Sequence, residues 1–256
     1  MNASLFFDIH TWMLGAALGY ARLAPVFFIL PFFNTTVLGG AARNAVIMVI
    51  AMGFWPVPMD AMAKIETFAY VAAIGQELFI GLLIGSLLAW PFWVFHAVGN
   101  FIDNQRGATL SSTIDPSNGV DTSELANFFN IFAAAIYLQG GGILLFAQAI
   151  NSSYELCDPL QGCHFYFSSL LTILIDLMTK AIVIASPVVA IMLLSEFTLG
   201  LLSRFAPQLN AFSVSLTIKS ILAMLTLLIY FGPVFPDEVL QLAMKSIQLS
   251  QWFTGK

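Results

Sequence analysis

Four charged residues stand inside otherwise apolar runs: Arg22, Glu77, Glu196 and Lys219. A charge at the centre of a membrane span costs about 2.5–3.5 kcal/mol on insertion scales, so each of these needs a protein partner or water. Two kinds of chemistry fit. One is proton-coupled transport by this chain alone, with Glu77 or Glu196 as the proton carrier. The other is a protein assembly in which Arg22, Glu77, Glu196, Lys219 and the nearby Arg204 pair between helices or subunits. A second cluster is Cys157, Asp158, Cys163 and His164. The spacing of Cys157 and Cys163 suits a small disulfide loop around the Asp158-Pro159 turn, which requires an oxidising compartment. Two free thiols are the alternative. As a zinc site the cluster lacks a second group of ligands, so no metal is expected. His10 and His96 stand far apart and suit packing or interfaces. The chain has no HExxH, P-loop, G-x-S-x-G elbow or dinucleotide fingerprint, so neither a cofactor nor an enzymatic reaction is expected.

The longest polar stretch is Gly99 to Glu124. It follows the apolar run Phe68 to Val98 and precedes the uncharged run Leu125 to Ile150. Asp115-Pro116-Ser117-Asn118-Gly119 is a turn sequence, because Pro presets φ while Asn and Gly accept positive φ. Asp121 and Glu124 have the spacing of a helix N-cap and its capping-box partner. A polar loop between two long hydrophobic helices suits a lid, gate or plug. An ordinary loop outside the membrane is the plainer reading.

Composition sets the class of the elements around these residues. The chain is 59% apolar and 9% charged, against roughly 45–50% and about 25% in soluble domains. Mean hydropathy is +0.88. Long apolar runs without period-two alternation indicate an all-α integral membrane protein rather than a barrel. Net charge is −5 with no basic cluster, which excludes a nucleic-acid partner. No linker divides the chain, so residues 1–256 read as one domain. Met1 to Thr11 lacks the basic start of a signal peptide, and the first apolar run is expected to remain in the protein.

In chain order, Trp12 to Phe33 carries Arg22, Pro25 and Pro31, and a polar break with Arg43 follows at Asn34 to Asn44. Ala45 to Met59 is too short to span a bilayer, which suits a half-helix or a helix packed within protein. Phe68 to Val98 is too long for one upright span. Its Trp90-Pro91 should bend it, and a helical hairpin is as compatible as a tilted span. Gly75, Gly81 and Gly85 permit close helix contact. Gly140-Gly141-Gly142 should break the next run. Asn151 to Phe167 reads as an acidic loop. Ser168 to Leu202 carries Asp176 and Lys180 as an i,i+4 pair. Ala211 to Phe235 reads as the last apolar run, and residues 237–253 as a separate amphipathic helix opening at Pro236-Asp237-Glu238. Arg22-Leu23-Ala24-Pro25 and Arg204-Phe205-Ala206-Pro207 share R-x-A-P, a faint sign of an internal repeat. With six spans, the basic residues of the loops divide three against three: Lys64, Lys245 and Lys256 against Arg43, Arg106 and Arg204. The positive-inside rule then gives no orientation. A helical protein surrounded by other subunits, only partly in lipid, fits better than a bundle facing lipid.

Ile102-Asp103-Asn104-Gln105-Arg106-Gly107, Asp115-Pro116-Ser117-Asn118-Gly119 and Leu201-Leu202-Ser203-Arg204-Phe205-Ala206-Pro207 resemble the SctT/FliR family of type III secretion. Arg22-Leu23-Ala24-Pro25 and Leu156-Cys157-Asp158-Pro159 strengthen the likeness to its members in invasion-type injectisomes. The resemblance covers essentially the whole chain. It implies bent helical hairpins, with an SctR-like and an SctS-like part, in a helical export gate built with SctR- and SctS-type subunits and an SctU-type subunit. It further implies contact with membrane lipid, inner rod and needle components, and unfolded secreted proteins as substrates. The expected place is the bacterial inner membrane, multi-pass, at the core of the needle complex base and lifted toward the periplasm. The family's polar loop lies at the pore and helps plug it. Here that maps onto Asp103, Asn104, Gln105, Arg106, Gly107, Asp115, Pro116, Asn118 and Gly119. Deleting Asn104 to Ser112 should then raise ion leak. The cysteine pair is not a general feature of the family and takes no role from it. A purely structural assembly scaffold is the remaining alternative.

Overall fold

The computed structural model describes residues 2–33, 37–58, 66–108, 123–159, 167–206 and 211–246. Every regular element among them is helical: α1 (Asn2–Ile29), a short 3-10 turn (Pro31–Phe33), α2 (Gly40–Phe54), α3 (Thr67–Arg106), α4 (Glu124–Gln139), α5 (Gly142–Leu156), α6 (Phe167–Phe205) and α7 (Ala211–Ser246). The all-α membrane expectation therefore holds. Among the described residues four helices are long and apolar enough to cross a membrane, or five spans if the broken pair α4 and α5 counts as one. That differs from the six runs read from the sequence.

The helices are longer than the apolar runs suggested. α3 is a single helix of 40 residues with Pro91 inside it, not a hairpin. α7 is continuous for 36 residues through Pro233 and Pro236, so no separate helix begins at Asp237. A proline in such a helix removes one backbone bond, and neighbouring helices and side chains re-satisfy the freed carbonyl. α5 runs to Leu156, through residues expected to lie in a loop. The break at the three glycines is present: Gly141 adopts φ +84, the left-handed conformation that glycine reaches without penalty. α2 begins before the expected run, so Arg43 is helical and buried rather than part of a polar break.

The chain forms two compact units: Met1–Trp90 with Gly141–Leu170 and Ala243–Lys256, and Pro91–Gly140 with Leu171–Leu242. In the first, α1 packs against α2 and the opening half of α3. A Cβ at Gly81 of α3 would collide with the carbonyl oxygen of Arg22, and one at Gly85 would stand 3.0 Å from the Cα of Val26. Small residues on α3 thus bring its backbone onto α1, the packing that apolar helices use when no water drives them together. Gly75 has open space around it and serves no such contact. Phe27 stacks on Phe33 at 4.2 Å, with Phe146 of α5 edge-on to Phe27 at 5.8 Å. Leu18, Leu23, Ile47, Ile84 and Ile150 complete this core.

The second unit accounts for much of the phenylalanine excess. Phe95 of α3, Phe129 of α4 and Phe231 and Phe235 of α7 meet with centroids 4.7–5.6 Å apart. Aromatic pairs at such spacing contribute about 0.5–1.5 kcal/mol beyond their buried area. α6 and α7 remain strongly exposed for such apolar helices. Only 28% and 22% of their most apolar windows are buried, against 67% for α3.

Candidate functional site

In the first unit, Arg22 and Glu77 meet although 55 residues separate them. Gly81 lets α3 approach α1 closely enough that Glu77, one helical turn earlier, reaches the guanidinium. The pair is bidentate: Arg22 Nε donates to Glu77 Oε2 at 2.5 Å and Nη2 to Oε1 at 2.8 Å. Nη2 also donates to the Cys157 carbonyl at 2.9 Å, and Nη1 to Ser153 Oγ at 3.4 Å. The Tyr154 ring covers the guanidinium at 4.0 Å. Both charged side chains are fully buried. Arg22 therefore directs donors to a carboxylate, a hydroxyl and a carbonyl, and the planar fork matches the carboxylate on both oxygens. The arrangement is a structural tie among α1, α3 and the end of α5. Ser153 and Tyr154 were not singled out from the sequence, because their positions fell in the supposed acidic loop.

In the second unit, Asp103, Asn104, Gln105 and Arg106 are the last residues of α3, not the start of a loop. Gly107 follows with φ +78 and donates its N–H to the Asn104 carbonyl at 3.1 Å, a left-handed helix ending. Asp103 is buried and accepts three bonds: from Arg106 Nε at 2.7 Å, from Ser123 Oγ at 2.6 Å and from Leu125 N at 3.1 Å. Ser123, not Asp121, is the N-cap of α4, and its Oγ accepts from Ala126 N at 3.0 Å. Asp103 adds a second carboxylate at that helix start, where Glu124 already stands in the first turn. Beside this clasp, a Cβ at Gly99 would strike the backbone of Ala126. The two roots of the intervening segment are thus pinned together. Ser123 was legible as an N-cap type standing directly before the apolar run, and the Asp121–Glu124 spacing drew attention from it. Asp115, Pro116, Asn118, Gly119 and Asp121 lie outside the described residues.

The remaining charges divide. Lys219 is buried and reaches Glu196 at 3.2 Å, but the Glu196 carboxylate is 51% exposed. Arg204, expected to be buried, is exposed near the end of α6, and no ion pair joins it among the described residues. Arg22 lies within a helix and Arg204 near the end of one, so the two R-x-A-P segments are not equivalent in structure. Lys180 pairs across to Glu238 of α7 at 3.5 Å. Cys157 is buried and disulfide-bonded; Cys163 and His164 lie outside the described residues. His96 is half-buried and shares a 3.1 Å hydrogen bond with Asn100, whereas His10 is exposed. An apolar groove of 370 Å³ lies among Phe101, Ile182, Ala185, Ser186, Val189, Ala190 and Leu193. Its hydroxyl, on Ser186, is spent on the Val183 carbonyl, so the groove gathers no polar groups for a reaction. Among the described residues no cluster of metal-ligating side chains exists.

The sequence as a whole is matched in known proteins. Residues 13–245 match the family described as bacterial export proteins, family 1. The surface presentation of antigens protein SpaR of Salmonella typhimurium is 53% identical over 253 residues, 99% of this chain and 96% of that protein. The Yop proteins translocation protein T of Yersinia pestis is 33% identical, covering 82% of each chain. The flagellar biosynthetic protein FliR of Buchnera aphidicola is 24% identical over 85% of each. Matched along nearly its whole length, the chain belongs to the bacterial export proteins, family 1.

Proposed function

We propose that this chain is a non-enzymatic gate subunit of a type III export apparatus, assembling with SctR-, SctS- and SctU-type subunits around a path for unfolded proteins. The nearly full-length likeness to export proteins supports the export role. The observation that carries the gate reading is the length and exposure of the helices. α3, α6 and α7 have 40, 39 and 36 residues, about 54–60 Å at 1.5 Å per residue. The hydrocarbon layer is only about 30 Å thick. Apolar faces such as Leu194, Phe197, Phe205, Leu228 and Ile229 stay exposed along α6 and α7. Helices of that length cannot be sheathed by lipid alone unless they tilt steeply, so other subunits are the fitting cover. The half-exposed Glu196 beside Lys219 adds a polar contact for such a neighbour.

The segment between Gly107 and Ser123 is the proposed plug. The Asp103 clasp fixes its roots. The site is the bacterial inner membrane, with the assembled gate raised toward the periplasm. A stand-alone transporter using Glu77 is disfavoured, because Arg22 engages both carboxylate oxygens. Tagging the chain, extracting it in mild detergent and weighing what accompanies it tests this reading. A large stable complex with SctR- and SctS-type proteins is expected. A lone monomer or dimer that transports protons in liposomes would overturn it.

A further inference from the structure

Arg43 stands on the first turn of α2 and is only 6% exposed. No ion pair joins it among the described residues, and its buried Nε has no hydrogen-bond partner. Its guanidinium lies over the Phe28 ring at 3.9 Å. A cation–π contact does not by itself offset the desolvation of an ion. Arg22, equally buried, has a carboxylate, a hydroxyl and a carbonyl.

The end of α2 that carries Arg43 is also short of anions. Its N-cap, Gly39, has no side chain to bond the first amides, and no acidic residue stands in the first turn. The space where Gly39 and Gly40 would carry a Cβ is open. Arg43, on the first turn, stands at this same end of the helix. The positive end of the helix dipole and a guanidinium with an unpartnered Nε thus stand at one end of α2, groups that suit a tetrahedral oxyanion. The surroundings suit an amphiphile rather than a free ion: Phe28, Val37, Val46, Met48 and Val49 are all exposed. We propose that the N-terminal end of α2 binds the phosphate of a membrane phospholipid, with Arg43 and the first amides on its oxygens and the acyl chains along the exposed apolar residues. This site is separate from the plug and does not depend on it.

The test is native mass spectrometry of the full chain, freed of co-purified lipid and titrated with dioleoyl phosphatidylglycerol. Dioleoylglycerol and inorganic phosphate serve as parallel arms. One phosphatidylglycerol is expected to bind, with dioleoylglycerol failing to bind and inorganic phosphate binding far more weakly. Arg43→Gln should weaken phosphatidylglycerol at least about tenfold, the scale of one charge-assisted contact, and Arg43→Lys by less. Gly40→Asp guards against misfolding of the arginine variants. It places a carboxylate in the open space at the helix start, which favours the helix, and should expel the lipid. Wild-type lipid affinity in both Arg43→Gln and Gly40→Asp would overturn the proposal, as would equal binding of dioleoylglycerol. Inorganic phosphate binding as tightly as the lipid would replace the headgroup with a free anion. Unchanged lipid binding with loss of co-purifying subunits in Arg43→Gln would assign Arg43 to an acidic side chain of a neighbour instead.

Discussion

Glu77→Ala leaves the Arg22 guanidinium buried with its carboxylate gone. What remains is the Ser153 hydroxyl at 3.4 Å, the Cys157 carbonyl at 2.9 Å and the Tyr154 ring at 4.0 Å. Removing one member of a buried pair costs about 3–5 kcal/mol, because the survivor is stranded in low dielectric. In a chain of this size each kcal/mol moves the unfolding midpoint by roughly 2–4 °C, so Glu77→Ala should lose at least about 6 °C. The double variant Arg22→Met, Glu77→Leu removes both charges and refills the volume. It still leaves the Cys157 carbonyl without its donor, a cost of about 1–3 kcal/mol. It should therefore melt between wild type and Glu77→Ala. The assay is thermal unfolding of the purified chain in detergent, followed by circular dichroism at one fixed scan rate. A double variant melting below Glu77→Ala would show that charge stranding is not the main cost. An unchanged midpoint in Glu77→Ala would remove the structural role of the tie altogether.

Asp103→Ala takes away three accepted hydrogen bonds at the root of the plug while Ser123 still caps α4. It should cost about 2–3 kcal/mol and raise ion leak through assembled complexes, read as conductance in planar bilayers. Asp103→Asn should leak less than Asp103→Ala, because one oxygen acceptor survives. Gly81→Ala drives a methyl group into the Arg22 carbonyl and should cost about 1–3 kcal/mol or more, visible as a lower thermal midpoint. Gly75→Ala, in open space, should leave that midpoint within about 1 kcal/mol of wild type or slightly higher. Lys219→Met should weaken co-purification of partner subunits more than it lowers the midpoint of the isolated chain. Its carboxylate partner is half exposed there, and exposed pairs contribute at most about 1 kcal/mol.

The sequence carried the helical membrane class, the glycine break and the need to pair Arg22 and Glu77, because hydropathy and lone charges are local signals. Partner choice was not local. Arg22 finds Glu77 across 55 positions, and Lys180 pairs with Glu238 of another helix; nothing in residue spacing encodes either match. Helix ends were misjudged for a related reason. Asp103 to Arg106 looked like loop residues because they are polar, yet Ser123 and Leu125 satisfy Asp103 and α3 runs on to Arg106. Pro236 looked like a helix start and is interior to α7. Arg43 looked like a loop cation and is buried. Glu196 and Arg204 looked buried because their neighbours are apolar, but α6 leaves much of its surface uncovered in the isolated chain.

The most direct test of the gate is the ion conductance of assembled complexes lacking residues 109–121. That deletion spares Asp103, Arg106 and Ser123, whereas one beginning at Asn104 would remove the last turn of α3 and its contact with Asp103. Complexes of unchanged composition with conductance well above wild type at rest are expected. Complexes that assemble fully and stay as closed as wild type would contradict the gate reading.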